Sequence, residues 1–206
     1  MLFIEKLTRD THMLKHTITT YKEISMVGNV FRKGGINCLY GESGLGKTIS
    51  SIKALNAEGI VPILLDFDDN DSPEENNCEF TAVDGWEFMK DYNDPEVAVT
   101  IPKDMVIIID TWHLFNDYYR LDPELLTNLA EDNTIIIIGH IVDIATKRDI
   151  PDIPSEFINH CHAKLFLSYD KGSTTKGKER APGHVLEVKK LRGYKGDKFI
   201  PNWMRS

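Results

Sequence analysis

The pattern of the chain predicts an α/β fold: a three-layer α/β/α sandwich with a mainly parallel central sheet and a C-terminal β-hairpin. Three observations carry this. Apolar runs recur at residues 36–40, 61–67, 105–109 and 134–138, and runs without polar alternation suit strands buried on both faces. Stretches of helical character lie between several of these runs, the alternation expected of a parallel sheet crossed by helices. Late in the chain, residues 163–169 and 185–191 read as strands joined by a Gly- and Lys-rich excursion, and residues 199–201 close a final hairpin.

Each element has a local reason. Gly28 and Gly34-Gly35 break the mixed N-terminal stretch, so residues 1–30 form a separate N-terminal segment, a candidate subunit-contact arm, and residues 31–206 the single domain. Residues 36–40 form the first strand, ending at Gly41, and residues 45–57 a helix that stops near Gly59. Pro62 is tolerable near the first residue of the second strand. The acidic, Asn- and Pro-containing stretch 68–82 reads as loop, followed by a short helix around residues 86–90. A strand ending in Asp110, a helix over 123–131 and the strand 134–139 come next, then a loop and helix within 141–160.

Composition limits the functional classes. With 206 residues, 41% hydrophobic and 27% charged, the chain reads as one soluble domain with one substantial core. Its longest apolar runs are far too short to span a bilayer, and the first six residues lack the layout of a secretion signal. Cys38, Cys78 and Cys161 are scattered, which points to a reducing intracellular compartment. The adjacent His160, Cys161 and His162 diverge on any strand or helix and do not make a metal site. A net charge of −8 argues against a uniformly basic nucleic-acid binder. The charge is polarised, however: twelve carboxylates face only Lys90 between residues 66 and 96, whereas nine basic residues face three acidic ones from 171 to 198. Such a molecule could associate head to tail or carry a polyanion on one side, unless both stretches are merely solvated.

The chemistry is concentrated at Gly41-Glu42-Ser43-Gly44-Leu45-Gly46-Lys47-Thr48, which satisfies G-x-x-x-x-G-K-[ST] between a strand and a helix. A chain this long matches that pattern by chance on the order of one time in a hundred, before the flanking elements are counted. The glycines let successive N–H groups point at phosphate oxygens, and the helix, continuing through Ile49, adds its positive end. Lys47 then reaches the β- and γ-phosphates of ATP, and the Thr48 hydroxyl can ligate Mg²⁺. Asp110 ends a strand of four apolar residues, the place for a second Mg²⁺-holding group. Thr111 follows it, so the acidic pair of AAA+ ATPases is absent.

With the ordered series 41–48, 65–69, 106–110, 134–140 and 188–196, the chain resembles the RecA-like P-loop ATPase superfamily. Within it, the pattern is similar to RepA- and DnaB-type hexameric replicative helicases and to RecA-like phage recombination and annealing proteins. The resemblance implies a water-activating carboxylate just past the second strand, where Asp68 stands in for the family's Glu and Asp66 is the rival. It implies that His140, at a strand end, senses the γ-phosphate. It implies that Lys190 and Arg192, in Lys190-Leu191-Arg192-Gly193, reach the neighbouring subunit's ATP, although the Gly spacing departs by one residue from the helicase form. Channel-lining loops would be residues 112–121 and 141–155, the second carrying Lys147 and Arg148. Lys176, Lys178 and Arg180 could meet phosphates as well, and Trp112, His113, Phe115, Tyr118 and Tyr119 could stack on bases unless they are core or interface.

The expected activity is ATP hydrolysis driving a motor on single-stranded DNA, as in a replicative helicase. The alternatives are a recombination or annealing mediator and an ATP-gated regulatory protein without a nucleic-acid role. The resemblance further implies a homo-oligomer, a hexameric ring or a filament, working in the bacterial cytoplasm with a separate primase, polymerase or single-strand-binding partner and no membrane. Such a chain could be phage- or plasmid-encoded.

Overall fold

A computed structural model describes residues 31, 33–67, 77–100, 103–111, 123–141, 151–153, 158–159, 161–171, 174, 183–191 and 198–199. They build one mixed, mostly parallel sheet of eight strands. In chain order the elements are β1 (Ile36–Gly41), α1 (Lys47–Asn56), β2 (Ile63–Asp66), β3 (Thr81–Asp84), α2 (Gly85–Asn93), β4 (Val106–Asp110), α3 (Pro123–Asp132), β5 (Thr134–His140), β6 (Ala163–Asp170), β7 (Gly183–Leu191) and β8 (Lys198–Phe199). The spatial order is β3-β2-β4-β5-β1-β6-β7-β8. The first six in that order are parallel to one another, while β7 runs antiparallel to β6 and β8 antiparallel to β7.

Two apolar clusters sandwich the sheet. On one face Leu39, Leu64, Ile108, Ile136 and Ile138 pack with Ile52 and Leu55 of α1. On the other, Tyr40, Leu65, Ile107, Ile109, Ile135 and Ile137 pack with Met89 of α2 and Leu125, Leu126 and Leu129 of α3. Adjacent isoleucines thus serve opposite faces, which is why β4 and β5 carry unbroken apolar runs, Val106–Ile109 and Ile135–Ile138. Each fully buried branched side chain stabilises the fold by about 1.5–3 kcal/mol. The buried amide of Asn37 is satisfied by donating to Gly35 O and Ile135 O, both at 3.1 Å.

Two local readings change. The segment 68–82 is not loop throughout, because Thr81–Asp84 adds a parallel edge strand to β2. Three of its four residues are exposed, so no apolar run announces it. Asp84 also caps α2, accepting from Trp86 N at 2.8 Å and Glu87 N at 3.0 Å, and the helix therefore starts at Gly85. Helix α1 begins at Lys47 rather than at residue 45, since Gly46 sits in the left-handed region at φ 64°. The proposed arm 1–30 and most of the 141–160 segment lie outside the described residues. No helix among the described residues is long and apolar enough to cross a membrane.

Candidate functional site

The parallel strands all end on one side of the sheet, where open α/β sheets place their ligand crevice. Strand β5 lies between β1 and β4, and this brings the ends of three non-consecutive segments together. Gly41 of β1 is in register with His140 of β5, and Asp66 of β2 with Asp110 of β4. Asp66 and Asp110 follow Leu64 and Ile108 by two residues, and both of those face α1. Strand alternation therefore puts the two carboxylates on the α1 side as well.

Residues 41–48 turn from β1 into α1. Gly41, Lys47 and Thr48 are buried, whereas Glu42, Ser43, Gly44 and Gly46 are exposed. Gly44 and Gly46 have φ of 76° and 64°, the left-handed conformation that glycine adopts without penalty. A Cβ built on Gly44 would project into open space. The first glycine has a different reason. A Cβ on Gly41 would lie 2.2 Å from Leu167 O of β6, so only glycine lets the two strands approach. Helix α1 has no side-chain cap and no acidic residue in its first turn, which leaves its first N–H groups for an anion.

Four side chains from three elements meet here: Lys47 and Thr48 of α1, Asp110 of β4 and His140 of β5. The Lys47 ammonium donates to Glu42 O at 2.9 Å and Gly41 O at 3.4 Å, and stands 3.3 Å from His140 Nδ1. The Thr48 hydroxyl donates to Asp110 Oδ2. Burial holds the Lys47 ammonium below the usual lysine value of 10.5, while the charges of Asp110 and Asp152 push the other way. The residue after β4, Thr111, is 3% exposed and its hydroxyl has no hydrogen-bond partner.

The donor set fits a triphosphate with magnesium. One hydroxyl and one carboxylate in contact are hard oxygen ligands of the kind Mg²⁺ takes, phosphate oxygens and water completing its shell. Glu42, Ser43, Gly44 and Gly46 are exposed around the loop, and the Lys47 ammonium supplies a positive charge beneath it.

Of the residues expected at this site, residues 41–49, Asp110 and His140 are assembled. Asp66 lies beside Asp110, while Asp68 falls outside the described residues. Arg192, Lys147, Arg148, Lys176, Lys178 and Arg180 fall outside them too, as do the aromatic residues at 112–119. Lys190 is on β7 opposite Lys164, which in turn pairs with Cys38, three residues before Gly41. Its backbone therefore starts roughly 10 Å below the loop along the strand and about 10 Å across the sheet.

Asp152 was not legible from the motif. It accepts from His140 N at 2.9 Å and is close enough to act on Lys47 electrostatically. A signal exists in Ile150-Pro151-Asp152-Ile153-Pro154, because a residue before proline is biased to extended backbone. No protein-family model matches the chain, and no curated protein matches it.

Proposed function

We propose that this chain binds ATP with Mg²⁺ at residues 41–49 and hydrolyses it as a RecA-like motor on single-stranded DNA, in the manner of a replicative helicase. The observation that carries the nucleotide reading is the convergence of Lys47, Thr48, Asp110 and His140 above one end of a parallel sheet. A three-layer RecA-like sandwich is supported by helices on both faces and by the strand order that seats β5 between the phosphate loop and Asp110.

On this reading the triphosphate lies along the amides of residues 42–48. Lys47 exchanges its contacts with Gly41 O and Glu42 O for the β- and γ-phosphate oxygens. Thr48 and Asp110 would hold a magnesium ion, which when bound would supply positive charge against the γ-phosphoryl group. Water attacks the γ-phosphorus and the β–γ bridging bond breaks, giving ADP and inorganic phosphate. Asp66 or Asp68 accepts the water's proton, Asp66 having the supporting position beside Asp110. An ammonium has only donors, so Nδ1 of His140 accepts from charged Lys47 and Nε2 carries the ring proton. That N–H is the group His140 offers to a γ-phosphate.

The DNA-directed and oligomeric parts rest on the resemblance and on the polarised charge of the chain. The backbone of Lys190 begins far from its own loop, which supports the reading that Lys190 serves a neighbouring subunit's nucleotide; Arg192 is assigned there by the resemblance alone. The test is the ATP hydrolysis rate with and without single-stranded DNA, alongside the mass of the particle in solution. Stimulation by DNA in an oligomer supports the motor. Unwinding of a forked duplex separates a helicase from an annealing protein, and turnover indifferent to DNA favours the regulatory alternative.

A further inference from the structure

Strand β5 outruns its neighbour. Its last residue paired with β4 is Ile137, opposite Ile109, and Ile138, Gly139 and His140 continue beyond. In a parallel strand the N–H and C=O of one residue point to the same side, and successive residues alternate sides. Ile135 N donates to Gly35 O on the β1 side and Thr134 N to Met105 O on the β4 side. His140, six residues after Thr134, therefore turns its backbone toward the β4 side, where β4 no longer runs.

Residues 151–153 take that vacated edge. Pro151 bridges antiparallel to Ile141. Asp152 N donates to His140 O at 2.8 Å, and Asp152 Oδ1 accepts from His140 N at 2.9 Å. Ile153 is buried at 3% exposure and anchors the segment in the core cluster. Gly139 makes the docking possible, since a Cβ there would lie 2.9 Å from both Asp152 Oδ1 and Ile153 Cδ1. One short segment thus closes both backbone hydrogen bonds of the residue whose imidazole meets Lys47.

We propose that Asp152 is a positioning residue of the nucleotide site: it completes the sheet ladder at His140 and thereby fixes the imidazole against Lys47. The claim rests on the nucleotide reading above and adds to it a residue that touches no phosphate. A ring hung from an unpinned strand end would sample several positions, and misplacement by about 1 Å costs as much as a hundredfold in rate. The Asp152 carboxylate also adds negative charge near Lys47, which favours its ammonium form.

The test combines kinetics with a spectroscopic readout that needs no turnover. Asp152→Ala should lower kcat for ATP by on the order of tenfold or more while KM stays within about threefold. Asp152→Asn keeps an oxygen acceptor for His140 N–H and should recover most of that rate, which also guards against a fold defect in the alanine variant. In a His140→Ala background, Asp152→Ala should cause no further loss, because the two residues act as one unit. In ¹⁵N-labelled wild-type protein the His140 ring should be a fixed tautomer with Nδ1 unprotonated, and Asp152→Ala should average the two ring nitrogens. An equal loss of kcat in the His140→Ala background, or an unchanged ring signal in Asp152→Ala, would overturn the proposal. Were the wild type to turn over no ATP, the nucleotide reading would fall, and the ring signal would still decide the role of Asp152.

Discussion

Two glycines of the same loop should respond to alanine for different physical reasons and by different amounts. At Gly41 the new Cβ lies 2.2 Å from Leu167 O and 3.2 Å from Leu167 C, against an ordinary contact of roughly 3.4 Å or more. Relief requires β1 and β6 to part by about 1 Å over a ladder of five paired positions. Overpacking of this kind costs about 1–3 kcal/mol, and each ladder hydrogen bond distorted adds about 1 kcal/mol. A loss of about 3 kcal/mol or more is expected. At Gly44 the Cβ meets open space, and only φ of 76° resists it. A non-glycine residue in that region costs about 1–2 kcal/mol. Urea denaturation without nucleotide, followed by circular dichroism, measures both. Gly41→Ala should be the less stable by at least about 1 kcal/mol. Were Gly41→Ala no more destabilised than Gly44→Ala, the close approach of β1 to β6 would be wrong.

Other perturbations bear on separate parts of the account. Asp110→Asn keeps an oxygen for the Thr48 hydroxyl but removes the charge, so the gain in nucleotide affinity on adding Mg²⁺ should shrink by about tenfold in titrations with magnesium or chelator. Asp84→Ala removes the acceptor for Trp86 N and Glu87 N and should destabilise the chain by about 1 kcal/mol in urea while leaving nucleotide affinity unchanged. Mixed Lys47→Ala and Arg192→Ala subunits should regain part of the ATP hydrolysis that each lacks alone. Absence of that rescue in co-assembled particles would remove Arg192 from the neighbouring site.

Much of the site could be read from the chain because each part sits at the end of an apolar run. Gly41–Thr48 and Asp110 follow such runs directly and His140 one glycine later, and the burial that makes the strands also aligns their ends. What the runs do not encode is neighbour order. That β5 inserts between β1 and β4, so that His140 meets Lys47, is a long-range property of the whole sheet. Strand β3 escaped detection because Thr81, Ala82 and Asp84 are exposed at the sheet edge, where no apolar pattern is required. Asp152 escaped because its role depends on β5 running past β4, a register that only the assembled sheet defines. The split reasons for the glycines were hidden likewise, since Gly41 answers to Leu167, more than a hundred residues away.

The most direct measurement is calorimetric titration of the full chain with ATP in the presence of Mg²⁺, repeated on Lys47→Ala. Lys47 makes charge-assisted contacts worth about 1.5–3 kcal/mol. The account therefore predicts saturable binding at one nucleotide per chain, weakened by at least about tenfold in the variant with its circular dichroism unchanged. Equal affinity in both proteins, or no binding by the wild type at any concentration at which it assembles, would contradict it.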